Sequence, residues 1–211
     1  MVISYLGKQF FKISQGDLTL AFNPISKDSK FKDNISRFGS NVVFVTANHK
    51  DFNGVDSVTF GETVPFVVSG PVDYEVKEIF VNGVATETEM DKKKIINTIY
   101  SLDLDGIKLC FLGSLNGEIK SDVREAIGNP DILFVPIGGE GVLSAKDAYK
   151  LSLSLEPKII IPMDYGEDRA KDSLKTFLKE EGSDKVEAMD KIVIKRKDLE
   201  GKECEIVVLK Y

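Results

Sequence analysis

The chain contains one histidine, His49, and two residues later a carboxylate, Asp51. Both lie where a buried-type apolar run, Val42-Val43-Phe44-Val45, gives way to the polar turn Thr46-Ala47-Asn48-His49-Lys50-Asp51-Phe52-Asn53. An imidazole and a carboxylate at the end of a strand can ligate a divalent cation or accept a proton. The same two groups can also serve structure alone, the Asp accepting hydrogen bonds from loop N–H groups and the His satisfied within its own turn. No Gly-x-Ser-x-Gly elbow is present, and a serine nucleophile at Ser114 or Ser144 would have only His49 to act as its base. The Ile137-Gly138-Gly139-Glu140-Gly141 run fits neither a Walker loop nor GxGxxG and reads as a tight turn. Glu87 and Glu89 with Asp73 and Glu75 read as solvated faces rather than an acid–base pair.

The elements that would hold such groups divide the chain by character. In the first half, strands are expected at 2–6, 9–14, 17–23, 42–46, 57–60, 65–69, 74–81 and 97–104, with Asp105-Gly106 turning the chain into 107–112. A loop covers 26–34 and a short helical turn 33–38. In the second half, helices at about 119–127, 144–155 and 168–181 alternate with strands at 131–136, 158–162 and 191–195, and a last strand runs from Glu205 to Leu209. Ser144 with Asp147 forms a capping-box pattern, and Pro157 closes the helix that follows. No linker or repeat divides the 211 residues, so one domain with two sheets flanked by helices is expected.

Composition narrows the function classes. A net charge of −6 and the absence of Trp argue against nucleic-acid or acidic-membrane binding, and the basic triplets at 92–94 and 195–197 sit beside acidic residues. Cys110 and Cys204 lack CxxC spacing and read as free thiols of a reducing cytoplasm. The opening Met1-Val2-Ile3-Ser4-Tyr5-Leu6 is expected to be a strand rather than a targeting segment, and no apolar run is long enough to span a bilayer. A cytoplasmic protein is expected, with partners undetermined and a homo-oligomer one option.

Five segments in order resemble the metallo-β-lactamase superfamily, in the branch of ascorbate-6-phosphate-lactonase-like metal-dependent hydrolases. Tyr5 to Ile13 resembles its opening strand turn, and Ala21-Phe22-Asn23-Pro24 its Ile-Asp-Pro. Ser69 to Val76 resembles a Gly-Pro-Gly-Glu-Tyr-Glu-Val segment, and Cys110 to Leu115 a Cys-His-Leu-Gly-Asp-Leu run. Ile161-Pro162-Met163-Asp164-Tyr165 resembles Ile-Pro-Met-His-Tyr. The resemblance covers about residues 1–165 and implies an α/β fold, a four-layer αββα sandwich. It also implies one or two divalent cations activating a hydroxide.

The departures fall on that chemistry. The family's His-x-His-x-Asp-His loop reads Ala47, Asn48, His49, Lys50, Asp51, Phe52; a later His aligns with Thr88, the bridging carboxylate with Ser114, and the last His with Asp164. A two-zinc site fails on ligand count. Removing metal from a pocket that keeps carboxylates leaves buried charge without a partner, and Lys8, in a turn near the family's metal centre, is positioned to replace the cation by pairing with Asp51 or Asp164. The alternative leaves all three in solvent. The reading that follows is a degenerate site comprising Lys8, His49, Asp51, Phe52, Phe111, Ser114 and Asp164, with no cofactor and its cleft plugged by Phe52 and Phe111, in a binding or assembly scaffold. The competing reading is a hydrolase of lactones, esters or phosphodiesters with a rebuilt site. In it His49, Asp51 and Asp164 hold zinc or manganese and Asp51 is catalytic, or carboxylates alone hold Mg²⁺ or Mn²⁺.

Overall fold

Short runs of alternating or continuously apolar residues produce, among the described residues, thirteen strands that pair into two sheets. The computed structural model describes residues 1–32, 37–166, 170, 172–182 and 186–211. The first sheet contains β1 (Val2–Tyr5), β2 (Phe11–Gln15), β3 (Leu18–Phe22), β4 (Val42–Val45), β5 (Phe66–Ser69) and β12 (Ile192–Val193), in the order β12-β1-β2-β3-β4-β5. The second contains β6 (Tyr74–Val76), β7 (Ile79–Met90), β8 (Lys93–Leu104), β9 (Ile107–Phe111), β10 (Ile132–Pro136), β11 (Ile159–Met163) and β13 (Glu205–Ile206), in the order β13-β11-β10-β9-β8-β7-β6.

Each sheet is part antiparallel and part parallel. β3, β4 and β5 run parallel, as do β9, β10, β11 and β13. β4, β10 and β11 are buried at every position, the pattern of strands covered on both faces. Between the sheets Phe11, Phe22, Phe44, Phe111 and Phe134 stack into one aromatic core, with Phe22 and Phe44 centroids 4.4 Å apart. Helices α1 (Ser121–Ile127), α2 (Ala145–Leu155) and α3 (Ser173–Glu181) cover the outside of the second sheet. Ser144 caps α2 as expected, accepting the Asp147 N–H at 3.2 Å. On the outside of the first sheet, the layer among the described residues is the coil after β3 and a 3₁₀ turn, Val55–Val58, packed over Phe10, Val43 and Val45. The architecture is the expected αββα sandwich with this one outer layer thin.

Several expectations are corrected. The segment 57–60 is not a strand: its start lies in the 3₁₀ turn, where Ser57 returns both its N–H and its hydroxyl to the Gly54 carbonyl. The segment 74–81 is two strands joined at Lys77 and Glu78, both left-handed (φ 52° and 62°). Residues 82–96, given no element in the sequence reading, complete the paired strands β7 and β8, which turn at left-handed Asp91 and Lys92. The expected Asp105-Gly106 hairpin is present. Of the helical turn expected at 33–38, residues 33–36 lie outside the described residues, as do 168, 169 and 171 of the helix expected at 168–181.

Candidate functional site

The parallel strands of both sheets end at the same place, and their C-terminal ends carry the polar groups. Asn23 follows β3, Thr46 and His49 follow β4, Ser114 follows β9, and Asp164 follows β11, while Lys8 and Gln9 come from the turn between β1 and β2. Such ends are where α/β sheets present side chains to a ligand.

The floor is a buried polar network. Lys8 Nζ donates to Asp164 Oδ1 at 2.5 Å, with the two side chains 19% and 7% exposed. Gln9 Nε2 donates to the other carboxylate oxygen at 3.0 Å. Asn23 Nδ2 donates to Gln9 Oε1 at 3.0 Å and to Thr46 Oγ1 at 2.8 Å, and Ser114 Oγ lies 3.2 Å from Gln9 Nε2. Asn97 Oδ1 accepts the Ser114 N–H at 2.7 Å. Gln9, Asn23, Asn97 and Ser114 are fully buried, so each of these bonds offsets the cost of removing an amide or hydroxyl from water.

The backbone is bent to make this network. Lys8, Asn23 and Asp164 all occupy the left-handed region (φ 56°, 46° and 62°), a clustering of strained residues typical of functional sites. The Asp164 N–H donates to the Lys8 carbonyl at 2.6 Å, and the Tyr5 hydroxyl donates to the same carbonyl at 2.7 Å. Burial, then the nearby Tyr165 and Asp164, push the Tyr5 phenol well above its ordinary range, so it remains a neutral donor. Two glycines allow the approach. A Cβ at Gly113 would fall 2.4 Å from Asn97 Oδ1, and one at Gly138 would fall 2.7 Å from the Asp164 carbonyl oxygen.

The His49 loop forms the opposite wall. Asp51 accepts the Ser29 hydroxyl at 2.6 Å, and its Oδ2 lies 3.6 Å from His49 Nδ1. His49 Nδ1 accepts the Asp51 N–H at 3.3 Å, which assigns the proton to Nε2, 3.1 Å from Asp91 Oδ2 at the β7–β8 turn. Between floor and wall lies a cleft of ≈ 690 Å³ lined by Lys8, Phe31, His49, Asp51, Asp91 and Asp164, among others.

Of the sequence-derived site residues, the structure brings Lys8, Ser114 and Asp164 together in one network and His49 and Asp51 together in the facing loop. Phe52 is fully buried beside His49, with ring centroids 5.9 Å apart, and does not line the cleft. Phe111 is also not a plug: it lies in the inter-sheet core against Phe22, at 4.9 Å. β9 alternates, so Phe111 takes the inward side while Cys110 faces the helices. Thr88 sits in β7 and donates to the Gly141 carbonyl at 3.0 Å. Sequence reading assigned no role to Gln9, Asn23, Asn97 or Ser29. The available signal was polar side chains at the ends of apolar strands.

The residues present do not fit a divalent cation. Both oxygens of Asp164 are taken, one by an ammonium and one by an amide, and both nitrogens of His49 are engaged within the protein. Ala47 offers no donor atom, and no group of three or more His, Cys, Asp or Glu able to hold a metal occurs among the described residues.

A sequence model described as the beta-lactamase superfamily domain matches residues 2–164. Among solved structures, a candidate zinc-dependent hydrolase of the metallo-β-lactamase superfamily from Thermotoga maritima is 27% identical, with a TM-score of 0.78 over 99% of this chain and 97% of that one. A candidate metal-dependent hydrolase from Parabacteroides distasonis is 17% identical (TM-score 0.64, covering 86% and 90%). A metallo-hydrolase from the archaeon Ignicoccus hospitalis is 18% identical (TM-score 0.62, covering 92% and 99%). The last two speak to the fold alone. No helix among the described residues is long and apolar enough to cross a membrane.

Proposed function

The chain belongs to the beta-lactamase superfamily, and on that premise we propose that it works without a bound metal, as a ligand-binding protein rather than a hydrolase. The observation that carries this reading is the Lys8 ammonium 2.5 Å from Asp164, with Gln9 on the second oxygen. One fixed positive charge compensates the carboxylate, so this corner of the site is neutral with no cation added. A divalent ion brought to the same carboxylate would meet the repulsion of the Lys8 ammonium and compete with the Gln9 amide.

Binding is favoured over a purely structural role because the cleft stays open. Its lining includes charges of both signs, while Phe52 and Phe111 lie outside it. A small polar ligand suits such walls. In this reading residues 1–211 act as one domain, and the two free thiols, Cys110 and Cys204, support a reducing cytoplasm.

The alternative is a hydrolase whose rebuilt site uses His49, Asp51 and Asp164, and it is favoured by the fact that all three border one cleft. It requires Lys8 to leave Asp164. Elemental mass spectrometry after gel filtration, with and without prior incubation in Zn²⁺, Mn²⁺ or Mg²⁺, separates the two. Only trace metal is expected. Stoichiometric retained metal would overturn the metal-free reading and call for assays on lactones, esters and phosphodiesters.

A further inference from the structure

The hairpin of β7 and β8 outruns its sheet. β6 pairs with β7 only from Ile79 to Val81, and β9 pairs with β8 only from Tyr100 to Leu104. The ladder between β7 and β8 nevertheless continues to Met90 and Lys93, so from Val84 and Ile99 outward the ribbon has no third strand. A two-stranded ribbon is marginal by itself in water and depends on what it touches.

Its contacts change character along its length. Near the sheet it is anchored by buried groups: Asn97 Nδ2 donates to the Leu112 carbonyl at 3.0 Å, the Thr98 N–H to the Thr46 carbonyl at 2.7 Å, and the buried Thr88 hydroxyl to the Gly141 carbonyl. Beyond Thr88 the burial stops. Glu89 and residues 91–94 are exposed and Met90 is only half-buried, yet Glu89, Met90, Asp91 and Lys92 line the cleft. The tip is therefore roof rather than core. Asp91 Oδ2 ties it to the opposite wall through His49 Nε2 at 3.1 Å, between the turn of the hairpin and the loop after β4.

We propose that residues 89–94 form a lid over the cleft, hinged just beyond Thr88 and latched by the His49–Asp91 hydrogen bond. Opening separates Asp91 from His49 and breaks the last rungs of the ladder while leaving the Thr88, Asn97 and Thr98 anchors in place. Low-stability segments of this kind are the ones that open locally and gate sites. Closed, the lid contributes Glu89, Met90 and Lys92 to the roof, so it takes part in selecting what the cleft holds. The lid's role in ligand entry rests on the cleft being a binding site, but its movement does not depend on metal content, so the two readings fail separately.

His49 is the only histidine in the chain and therefore reports on its own latch. Its reaction with diethyl pyrocarbonate, followed by the absorbance of carbethoxyhistidine, measures how often the ring nitrogens are uncovered. Asp91→Ala is expected to raise that rate about tenfold, with hydrogen exchange of amides in 88–95 accelerating by a similar factor. Exchange at 79–84 and the thermal midpoint should remain those of the parent. Equal pyrocarbonate rates in the parent and Asp91→Ala would overturn the latch. Acceleration spread evenly over the whole hairpin, or none at 88–95, would overturn the lid.

Discussion

On the floor of the cleft, Asp164 meets the Lys8 ammonium at 2.5 Å; on the facing wall, Asp51 accepts the Ser29 hydroxyl at 2.6 Å and lies 3.6 Å from His49. Both carboxylates are buried, at 6% and 8% exposure. The floor is a charge-for-charge solution: a full cation from a turn 156 residues away neutralises the anion. The wall is a dipolar solution, made from a hydroxyl and the groups of its own loop. Losing the cation strands a buried charge, whereas losing the hydroxyl removes a neutral donor and leaves the His49 ring 3.6 Å away. The difference lies in how each anion is satisfied. Where the sequence resembles a histidine ligand position, at Asp164, the chain supplies a compensating positive charge, and where it keeps His and Asp together, it fastens them to each other and to the hairpin.

The sharpest way to break this comparison is Lys8→Met, which leaves Asp164 buried without its cation. A loss of about 2–4 kcal/mol is expected from urea midpoints. Lys8→Met/Asp164→Asn should recover most of it, because the penalty comes from the unpaired charge and Asn keeps both the left-handed backbone and an acceptor for Gln9. Additive single effects with no recovery would mean that the ammonium does not compensate the carboxylate. On the wall, Ser29→Ala is expected to cost about 1.5–2 kcal/mol, the lower part of the range for a hydrogen bond to a charged group. A cost equal to that of Lys8→Met would erase the distinction between the two sides.

A third carboxylate, outside the cleft, sharpens the comparison at the small end. Burial raises the Asp131 carboxyl, but the Lys158 ammonium at 2.7 Å and the Lys108 N–H at 2.8 Å outweigh it and hold the group below its ordinary range. A lowered folded-state value means that the ionised form stabilises the fold. The contribution is complete above the unfolded carboxylate value of about 4 and disappears as pH falls through the lowered folded value. Asp131→Asn should therefore cost about 1 kcal/mol at pH 7, with the gap to the parent closing below about pH 4 in thermal melts. A gap that persists unchanged in acid would show that the charge contributes nothing there.

Most of the fold was legible because its signals are local. The apolar runs at 42–45, 132–136 and 159–163 are strands, the Asp105-Gly106 pair turns a hairpin, and Ser144 caps a helix. What escaped has an equally physical cause. In the outer part of β7 the covered face carries Thr86 and Thr88 rather than apolar residues, so it shows no clear apolar alternation, and the chain turns at Lys77-Glu78 and Asp91-Lys92 without a glycine to mark the left-handed positions. Phe111 read as a plug because strand direction is legible in sequence while the side that each residue faces depends on the partner sheet.

Taken alone, the sequence determined the two-sheet class and the count of histidines, since composition and short-range periodicity are properties of the chain before it folds. It supplied Lys8, Gln9, Asn23, Asn97 and Asp164, but apart from the adjacent pair Lys8-Gln9 they lie on separate turns and strands, four segments in all, with no spacing that links them. Only tertiary structure decided that they meet. Whether a buried carboxylate is satisfied by an ammonium, an amide or a metal depends on which groups reach it within hydrogen-bonding distance. That distance is set by the register and packing of two sheets, and no local pattern encodes it.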